Sequence, residues 1–406
     1  MTRDPLTITH ITDASASGVL AAVTALAKAQ SELEMVDVEF LYCPRPDSPS
    51  IDRIRDMLGP DVRVRRLTTK PRLAVPALAA CLPRVLARRH GVVHLHSSRA
   101  GLIGRLLAPV LGARRRTVYS PHCFAFDRTG ITRWHRALLV LAERIGVRAA
   151  PALIAVSAGE EQLAHDAVAA TRTAVLRNRI DPARIDEARK ALGADVRDSE
   201  GGSFGTQTRL PLRVVHVGRI AAQKRPDEFA AIAAWCAAEH PDIPVGFRWV
   251  GDGDRALLGE TATSGNVTVT GWVTGTDVLR ELSRADLMLF TSAGEGLPIA
   301  VLEAQAMGVP VIAHDVTGLA DVIENGTTGV LCEDRVEMQD ALASLLRDAA
   351  ARRALSRNAI AAIARSDTAA ALARESLEAY RQVGVLGAHG PGRDTVRPAD
   401  GTEGER

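Results

Sequence analysis

Residues 294–310 read GEGLPIAVLEAQAMGVP. Just upstream, DLMLFTS (286–292) is short, apolar and rich in β-formers. Small residues then open a loop, Pro298 suits the first position of a helix, and Gly308 before Pro310 suits its end. A strand passing through such a loop into an apolar helix is half of a βαβ unit, the building block of a parallel sheet. The segment carries two carboxylates with seven residues between them: Glu295 in the loop and Glu303 on the helix. At 100° per residue Glu303 falls near Ile299 and Met307, on a helix whose only other polar residue is Gln305. A solvated face normally carries several charges, so a ligand hydroxyl is the more attractive partner for this one. The loop adds backbone N–H groups at a helix N-terminus, a site suited to phosphate.

The same alternation extends in both directions. LTITHIT, VDVEFLYC, VRVRRLT, VVHLHS, RTVYS, ALIAVS and TAVLRN are strand candidates in the first half, separated by helical stretches such as 18–31, 74–89, 99–111 and 131–149. LRVVHVG, VGFRWVG, NVTVTG, DLMLFTS, PVIAH and GVLC follow in the second half, with helical stretches at 226–239, 274–284, 298–307 and 335–349. The expected fold class is α/β: two facing doubly wound, Rossmann-like domains with a cleft between them, because ligands of open α/β sheets bind beyond the carboxyl ends of the strands. The expected boundaries are 1–178 for an N-terminal Rossmann-like domain, 179–208 for a linker and surface loop, and 209–365 for a C-terminal Rossmann-like domain. A C-terminal helix over 366–385 is expected to return to the first domain, and 386–406 is too polar and Gly-rich to pack.

A chain of 406 residues with 46% hydrophobic and 24% charged residues is that of a soluble protein of two or three domains, and no window approaches the ~18 apolar residues of a membrane span. The N-terminus lacks the apolar core of a signal peptide, so a cytoplasmic location is expected. The five cysteines are scattered, without metal or redox spacing, and read as reduced thiols. Net charge is +2, yet residues 61–150 hold eighteen Arg and Lys against Asp61, Asp127 and Glu143. Nucleic acid is not the expected partner, because aromatics for base stacking are only 3% of the chain. An anionic membrane surface fits better: ITRWHRALLVLAERIGVR places Trp134 among arginines on a helical period.

A second cluster, VHVGRIAAQKRPDEF, runs a strand into Gly218, then Arg219, then Lys224 before a helix at Pro226. Two cations at the end of a buried strand call for an anion, and a diphosphate would supply one. VGR, Lys224, VGDGD, GWV, the Glu-x7-Glu of EGLPIAVLE and MGVPVIAHDVTGLADVIENGTTGVL, in this order over about 212–332, resemble the donor-binding half of glycosyltransferase family 4, of the fold called GT-B. ITDASASGVLAAV, VVHLHSSRAG, YSPHCFAF and IAVS resemble its first half more loosely, especially members that build bacterial surface polysaccharides and glycolipids.

The resemblance implies that Gly218, Arg219 and Lys224 meet the donor's diphosphate, that Glu303 binds the ribose, and that Val273 offers a backbone contact to the base. Glu295, Gly296, Leu297 and Pro298 form the loop around the transferred sugar and its phosphates. In the first half Gly18 approaches the donor from the opposite wall, and His122 corresponds to a histidine that reaches the transferred sugar. His94 and His96 alternate with apolar residues in their strand and receive no role. The implied activity is a hexosyl transfer from a UDP- or GDP-sugar to a hydroxyl of a glycan, lipid-linked or small-molecule acceptor, with retention and without a protein nucleophile, metal or cofactor. Arg219, Lys224, Glu295 and His122 carry the catalysis. A nucleotide-sugar epimerase or hydrolase and a non-catalytic sugar-nucleotide-binding partner share the same residues as alternatives. Asp252-x-Asp254 has the spacing of a metal chelate, but a Gly-rich turn is expected there. Arg177 and Arg179 replace the Pro and Gly usual at the interdomain crossing.

Overall fold

Short, apolar segments buried on both faces read as the strands of a parallel sheet covered by helices, and this is how the chain folds. The computed structural model describes residues 5–128, 130–180, 182–191, 211–264, 266–273, 275–366 and 369–387. Strands β1 (Leu6–Thr12), β2 (Val36–Tyr42), β3 (Val62–Arg66), β4 (Val92–His96), β5 (Thr117–Ser120), β6 (Ala152–Ala155) and β7 (Arg172–Val175) form one sheet, ordered β3-β2-β1-β4-β5-β6-β7. Strands β8 (Leu212–Val217), β9 (Val245–Val250), β10 (Val267–Val269), β11 (Leu287–Phe290), β12 (Val311–His314) and β13 (Val330–Cys332) form a second, ordered β10-β9-β8-β11-β12-β13. Every strand pairing in both sheets is parallel.

In the first sheet the chain moves outward from β1 to β3 and then returns to β4; in the second it moves from β8 to β10 and returns to β11. These reversals open a crevice at the carboxyl ends of β1/β4 and β8/β11. Gly18 follows β1, Arg219 follows β8 and Glu295 follows β11, so the topology alone brings the sequence-predicted residues to the two facing rims.

Helices cover both faces of each sheet. Leu20, Val23 and Leu26 of helix Ser17–Ser31 pack on one face of the first sheet together with Leu372, Leu377 and Tyr380 of helix Ala369–Gln382, which arrives from the far end of the chain. Leu78, Leu82, Ala100 and Val147 pack on the other. The two domains also share a core: Ala22 and Val156 of the first belong to one buried cluster with Leu297 and Ile299 of the second. The five cysteines are free thiols, and burial raises the pKa of every one of them. No helix among the described residues is long and apolar enough to cross a membrane.

Two expectations need amendment. The stretch 179–208 is not simply linker: helix Pro182–Ala191 lies within it, and its Ile185 and Ala188 pack into the second domain's core. Pro298 caps helix Ile299–Ala306 from an extended conformation instead of occupying its first turn. The Gly- and Ser-rich segment 195–209 and all but the start of the tail 386–406 lie outside the described residues.

Helix Ser98–Val110 lies close to the first sheet because it carries glycines: a Cβ on Gly101 would fall 2.2 Å from Tyr119, and one on Gly104 would fall 2.4 Å from Leu95. One turn on from Gly101, Arg105, 1% exposed, reaches Glu143 of helix Arg133–Ala149 at 2.6 Å and lies 3.9 Å above the Tyr119 ring. Gly146 leaves room for the guanidinium, which a Cβ would meet at 2.5 Å. Removing one partner of such a pair strands a charge in a dry interior. Glu143→Ala is therefore expected to cost about 3–5 kcal/mol of stability in urea unfolding; a loss below about 1 kcal/mol, the range of an exposed pair, would mean that water reaches Arg105.

Candidate active site

Backbone contacts hold the β8 end in place. A Cβ on Gly251 would lie 2.1 Å from the Gly218 carbonyl oxygen, and one on Gly253 would lie 2.2 Å from that of Ile220, so the GDGD segment runs against the β8 loop as a glycine turn. Its carboxylates have local work. Asp252 accepts two hydrogen bonds from Arg255, and Asp254 accepts one from the Ala256 N–H. Beyond Gly218 the chain makes a tight turn over Ala222–Lys224, and the Lys224 stem folds back over Gly218, 3.4 Å from where a Cβ would stand. Lys224 Nζ then meets Glu295 Oε1 at 2.5 Å and lies 4.9 Å from the Phe290 ring centre.

The Glu295–Pro298 loop is fixed from three sides. Gln223 Nε2 donates to the Gly294 carbonyl at 2.6 Å, Asn178 Nδ2 donates to the Leu297 carbonyl at 2.8 Å, and Gly318 packs so closely that a Cβ would fall 2.0 Å from the Gly296 carbonyl oxygen. Helix Ile299–Ala306 starts beside this loop with no side-chain cap; its first acceptor, the Pro298 carbonyl, takes the N–H groups of Val301 and Leu302, so those of Ile299 and Ala300 precede any intrahelical partner. A cation and a helix N-terminus thus converge at the end of β11.

Arg219 behaves differently from its sequence pairing with Lys224. Its guanidinium turns to the first domain and lies 3.7 Å from Asp47, 46% exposed. Glu303 is buried, as its helical position required, but its partner in this structure is a side chain: Arg184 Nη2 donates to it at 3.1 Å. Burial raises the Glu303 pKa and the arginine opposes the rise. Val273 packs half-buried against the second domain's core beside the exposed Trp272. Arg184 sits in a stretch expected as linker, which hid it from the sequence reading.

On the facing wall, Gly18 opens helix Ser17–Ser31, and a Cβ there would meet nothing within 4 Å. His122 and Cys123 both adopt left-handed conformations, with φ of 53° and 84°. The Glu160 carboxylate holds them, accepting from the Cys123 N–H and, at 2.8 Å, from the Val156 N–H; burial pushes its pKa up to about 7. This turn rests on Gly296, where a Cβ would stand 3.0 Å from the Cys123 nitrogen. The crossing residues brace the same junction: Arg177 pairs with Asp321 at 3.2 Å and Arg179 with Glu375 at 2.7 Å, while Asp321 also accepts from the N–H groups of Ala158 and Gly159.

Behind His122 lies a buried row of histidines. His96 Nδ1 is 2.9 Å from His122 Nε2, His96 Nε2 is 2.9 Å from His10 Nδ1, and His10 Nε2 is 2.8 Å from Gln30 Oε1. His94 bridges Ser120 and Tyr380, at 2.9 Å each. His10, His94 and His96 each bring a ring nitrogen within 4.8 Å of the others, the spacing of a metal site. All six of their ring nitrogens have protein partners, so a metal would have to break bonds already made. Their period-2 placement in β1 and β4 was visible in the sequence; their mutual contact was not.

Comparison with known proteins agrees with this geometry. A family model described as "Glycosyl transferase 4-like domain" matches residues 17–179, and one described as "Glycosyl transferases group 1" matches residues 211–348. An alpha-D-kanosaminyltransferase of Streptomyces kanamyceticus is 32% identical over 179 residues, 42% of this chain and 46% of that protein. A UDP-Gal:alpha-D-GlcNAc-diphosphoundecaprenol alpha-1,3-galactosyltransferase of Escherichia coli is 26% identical over 254 residues, 60% of this chain and 63% of that protein. The chain thus spans from about half to under two thirds of the length of these relatives. The structure of Anabaena Alr3699/HepE in complex with UDP and glucose superposes with a TM-score of 0.68 over 92% of this chain and 98% of that one, at 18% identity, a likeness of fold. With one model matching each half, and the halves folded as facing parallel sheets, the chain belongs to the family 4 glycosyltransferases of GT-B fold.

Proposed function

We propose that this protein transfers a sugar from a UDP- or GDP-sugar to an acceptor hydroxyl with retention of anomeric configuration, in the synthesis of a bacterial surface polysaccharide or glycolipid. The observation that carries the reading is the meeting of Lys224, folded over Gly218 and paired with Glu295, with the N-terminus of helix Ile299–Ala306 at the β8/β11 crevice. As the glycosidic bond breaks, negative charge grows on the departing diphosphate. Lys224, exchanging Glu295 for the donor, and the helix N–H groups meet that charge on a loop already held by Gln223, Asn178 and Gly318, and the half-exposed Arg219 joins them by turning from Asp47. Glu295 keeps Lys224 at the crevice until a donor arrives, and Glu303, steadied by Arg184, accepts from the ribose hydroxyls. The UDP and glucose held by the fold relative, and the lipid diphosphate in the name of the E. coli relative's acceptor, support a nucleotide-sugar donor and a lipid-linked acceptor.

The basic first domain suits that acceptor. Helix Arg133–Ala149 exposes Trp134 (78%), Leu138, Leu141 and Ile145, which fall on one stripe at helical spacing, and Val110 (81%) and Leu106 of the neighbouring helix Ser98–Val110 are exposed too. Arg133, Arg136, Arg144 and Arg148 are exposed on the same helix. An apolar stripe among arginines fits the interface of an anionic bilayer, the occupant we assign to it.

Thermal-shift screening against UDP, GDP and their sugars is expected to identify one nucleotide that stabilises the protein. With that donor, Lys224→Ala and Arg219→Ala should each lower turnover by orders of magnitude while circular dichroism stays unchanged; wild-type turnover in either variant removes that residue from the diphosphate site. Because side chains supply the positive charge, turnover should persist in EDTA, and a complete loss restored by Mg²⁺ or Mn²⁺ would overturn that. Phosphatidylglycerol vesicles should sediment the protein at low salt and release it as ionic strength rises, since the attraction fades over ~8 Å at physiological salt. Leu138→Asp should weaken sedimentation, and protein left in the supernatant at low salt would make the stripe an ordinary exposed surface.

A further inference from the structure

The histidine row behind the cleft has a direction, and the surrounding hydroxyls set it. Ser376 Oγ donates its one proton to the Ala373 carbonyl at 2.7 Å, and Ser120 Oγ donates its own to the Ile154 carbonyl at 2.7 Å. Ser120 can then only accept from His94, so His94 carries its proton on Nε2 and offers a bare Nδ1 to Tyr380. Tyr380 spends its hydroxyl proton there. Gln30 therefore faces two acceptors, Ser376 Oγ at 2.8 Å and Tyr380 Oη at 3.1 Å, and must turn its NH₂ to them. That leaves Gln30 Oε1 toward His10, which donates from Nε2. With neutral rings the rest follows: His96 Nε2–H donates to His10 Nδ1, and His122 Nε2–H donates to His96 Nδ1. The end of the row is His122 Nδ1, a buried atom with no hydrogen-bond partner. His122 lines a cavity at the interdomain crossing with Ala22, Val156 and Asn178, and its backbone abuts Gly296.

We propose that the Gln30–His10–His96 row locks His122 as its Nε2–H tautomer, so that Nδ1 is presented as a bare acceptor to a hydroxyl of the sugar bound in the cleft. Gln30, His10 and His96 are then positioning residues for the transfer, together with Ser376 and Tyr380 of the C-terminal helix. The neutrality that this needs comes from burial, which pushes the His10 and His122 pKa down to about 4 and those of His94 and His96 well below 6.5. The mutual repulsion of the rings adds to it, and Arg177 and Arg179, which line the same cavity, oppose any further positive charge. A sugar hydroxyl meeting the bare Nδ1 donates its proton to it, whereas the opposite tautomer would make the ring the donor and the hydroxyl the acceptor.

The role in sugar binding rests on the function proposed above; the tautomer does not, and the two separate experimentally. In the full-length protein with ¹⁵N-labelled histidine, without ligand, the His122 ring should show a protonated Nε2 and a bare Nδ1 near neutral pH and down to about pH 5. A protonated Nδ1 overturns the proposal whether or not the protein transfers sugars. Gln30→Leu, which removes the anchor without adding charge, should let both tautomers populate at His122; an unchanged wild-type pattern in that variant overturns the relay. In the same variant the affinity for the bare nucleotide should hold while kcat/KM for the nucleotide sugar falls about tenfold, the scale of one lost hydrogen bond. Equal losses of both would make Gln30 merely structural, and full activity in His122→Ala would overturn the acceptor role while leaving the tautomer assignment intact.

Discussion

The cleft depends on one close approach: Gly296 of the second domain against the His122–Cys123 backbone of the first, where a side chain would stand 3.0 Å from the Cys123 nitrogen. Two parallel sheets can face each other at many distances, and this contact selects one. It requires two left-handed residues that are not glycine, a conformation that costs energy and persists only when its surroundings impose it. Glu160 imposes it by capping two backbone N–H groups from below, and Gly318 supports Gly296 from the other side.

The two walls use opposite electrostatics. The second domain meets the cleft with charge: Lys224 and Glu295 neutralise each other at 2.5 Å, and Arg184 neutralises Glu303. The first domain meets it with His122, backed by the buried His10, His94 and His96, all four held neutral by burial of their rings. A diphosphate sugar has the same division, an anionic end and an uncharged polyhydroxyl end, so each wall offers the chemistry suited to one part of it.

The thirteen strands among the described residues were legible because most are short apolar runs between turn signals, as fully buried strands must be, while the edge strands β3 and β10 showed through their β-branched residues. Glu303 was legible for a related reason: a lone carboxylate on an apolar helix has to be explained. What stayed hidden depends on chain crossings that no local pattern records. Helix Pro182–Ala191 was submerged in a polar stretch, so Arg184 was unseen. Glu160 stands in the first turn of helix Ala158–Val168, where an acid is common, and no local pattern marks it as the residue that holds the turn carrying His122. His94 and His96 read as isolated residues of one strand because their partners come from residues 10, 120, 122 and 380. Arg219 was paired by sequence proximity with Lys224, whereas Asp47 of the other domain holds it here.

Helix Ala369–Gln382 has a consequence for how the molecule is made. Gln30 hydrogen-bonds Ser376 across 346 residues of chain, and Leu372, Leu377 and Tyr380 fill the face of the first sheet that helix Ser17–Ser31 leaves open. A ribosome exposes the first domain early but supplies this helix only after the whole second domain has been made. Until then that domain carries an uncovered apolar face and a Gln30 without the Ser376 and Tyr380 that orient it, and it cannot close before the second domain has been synthesised.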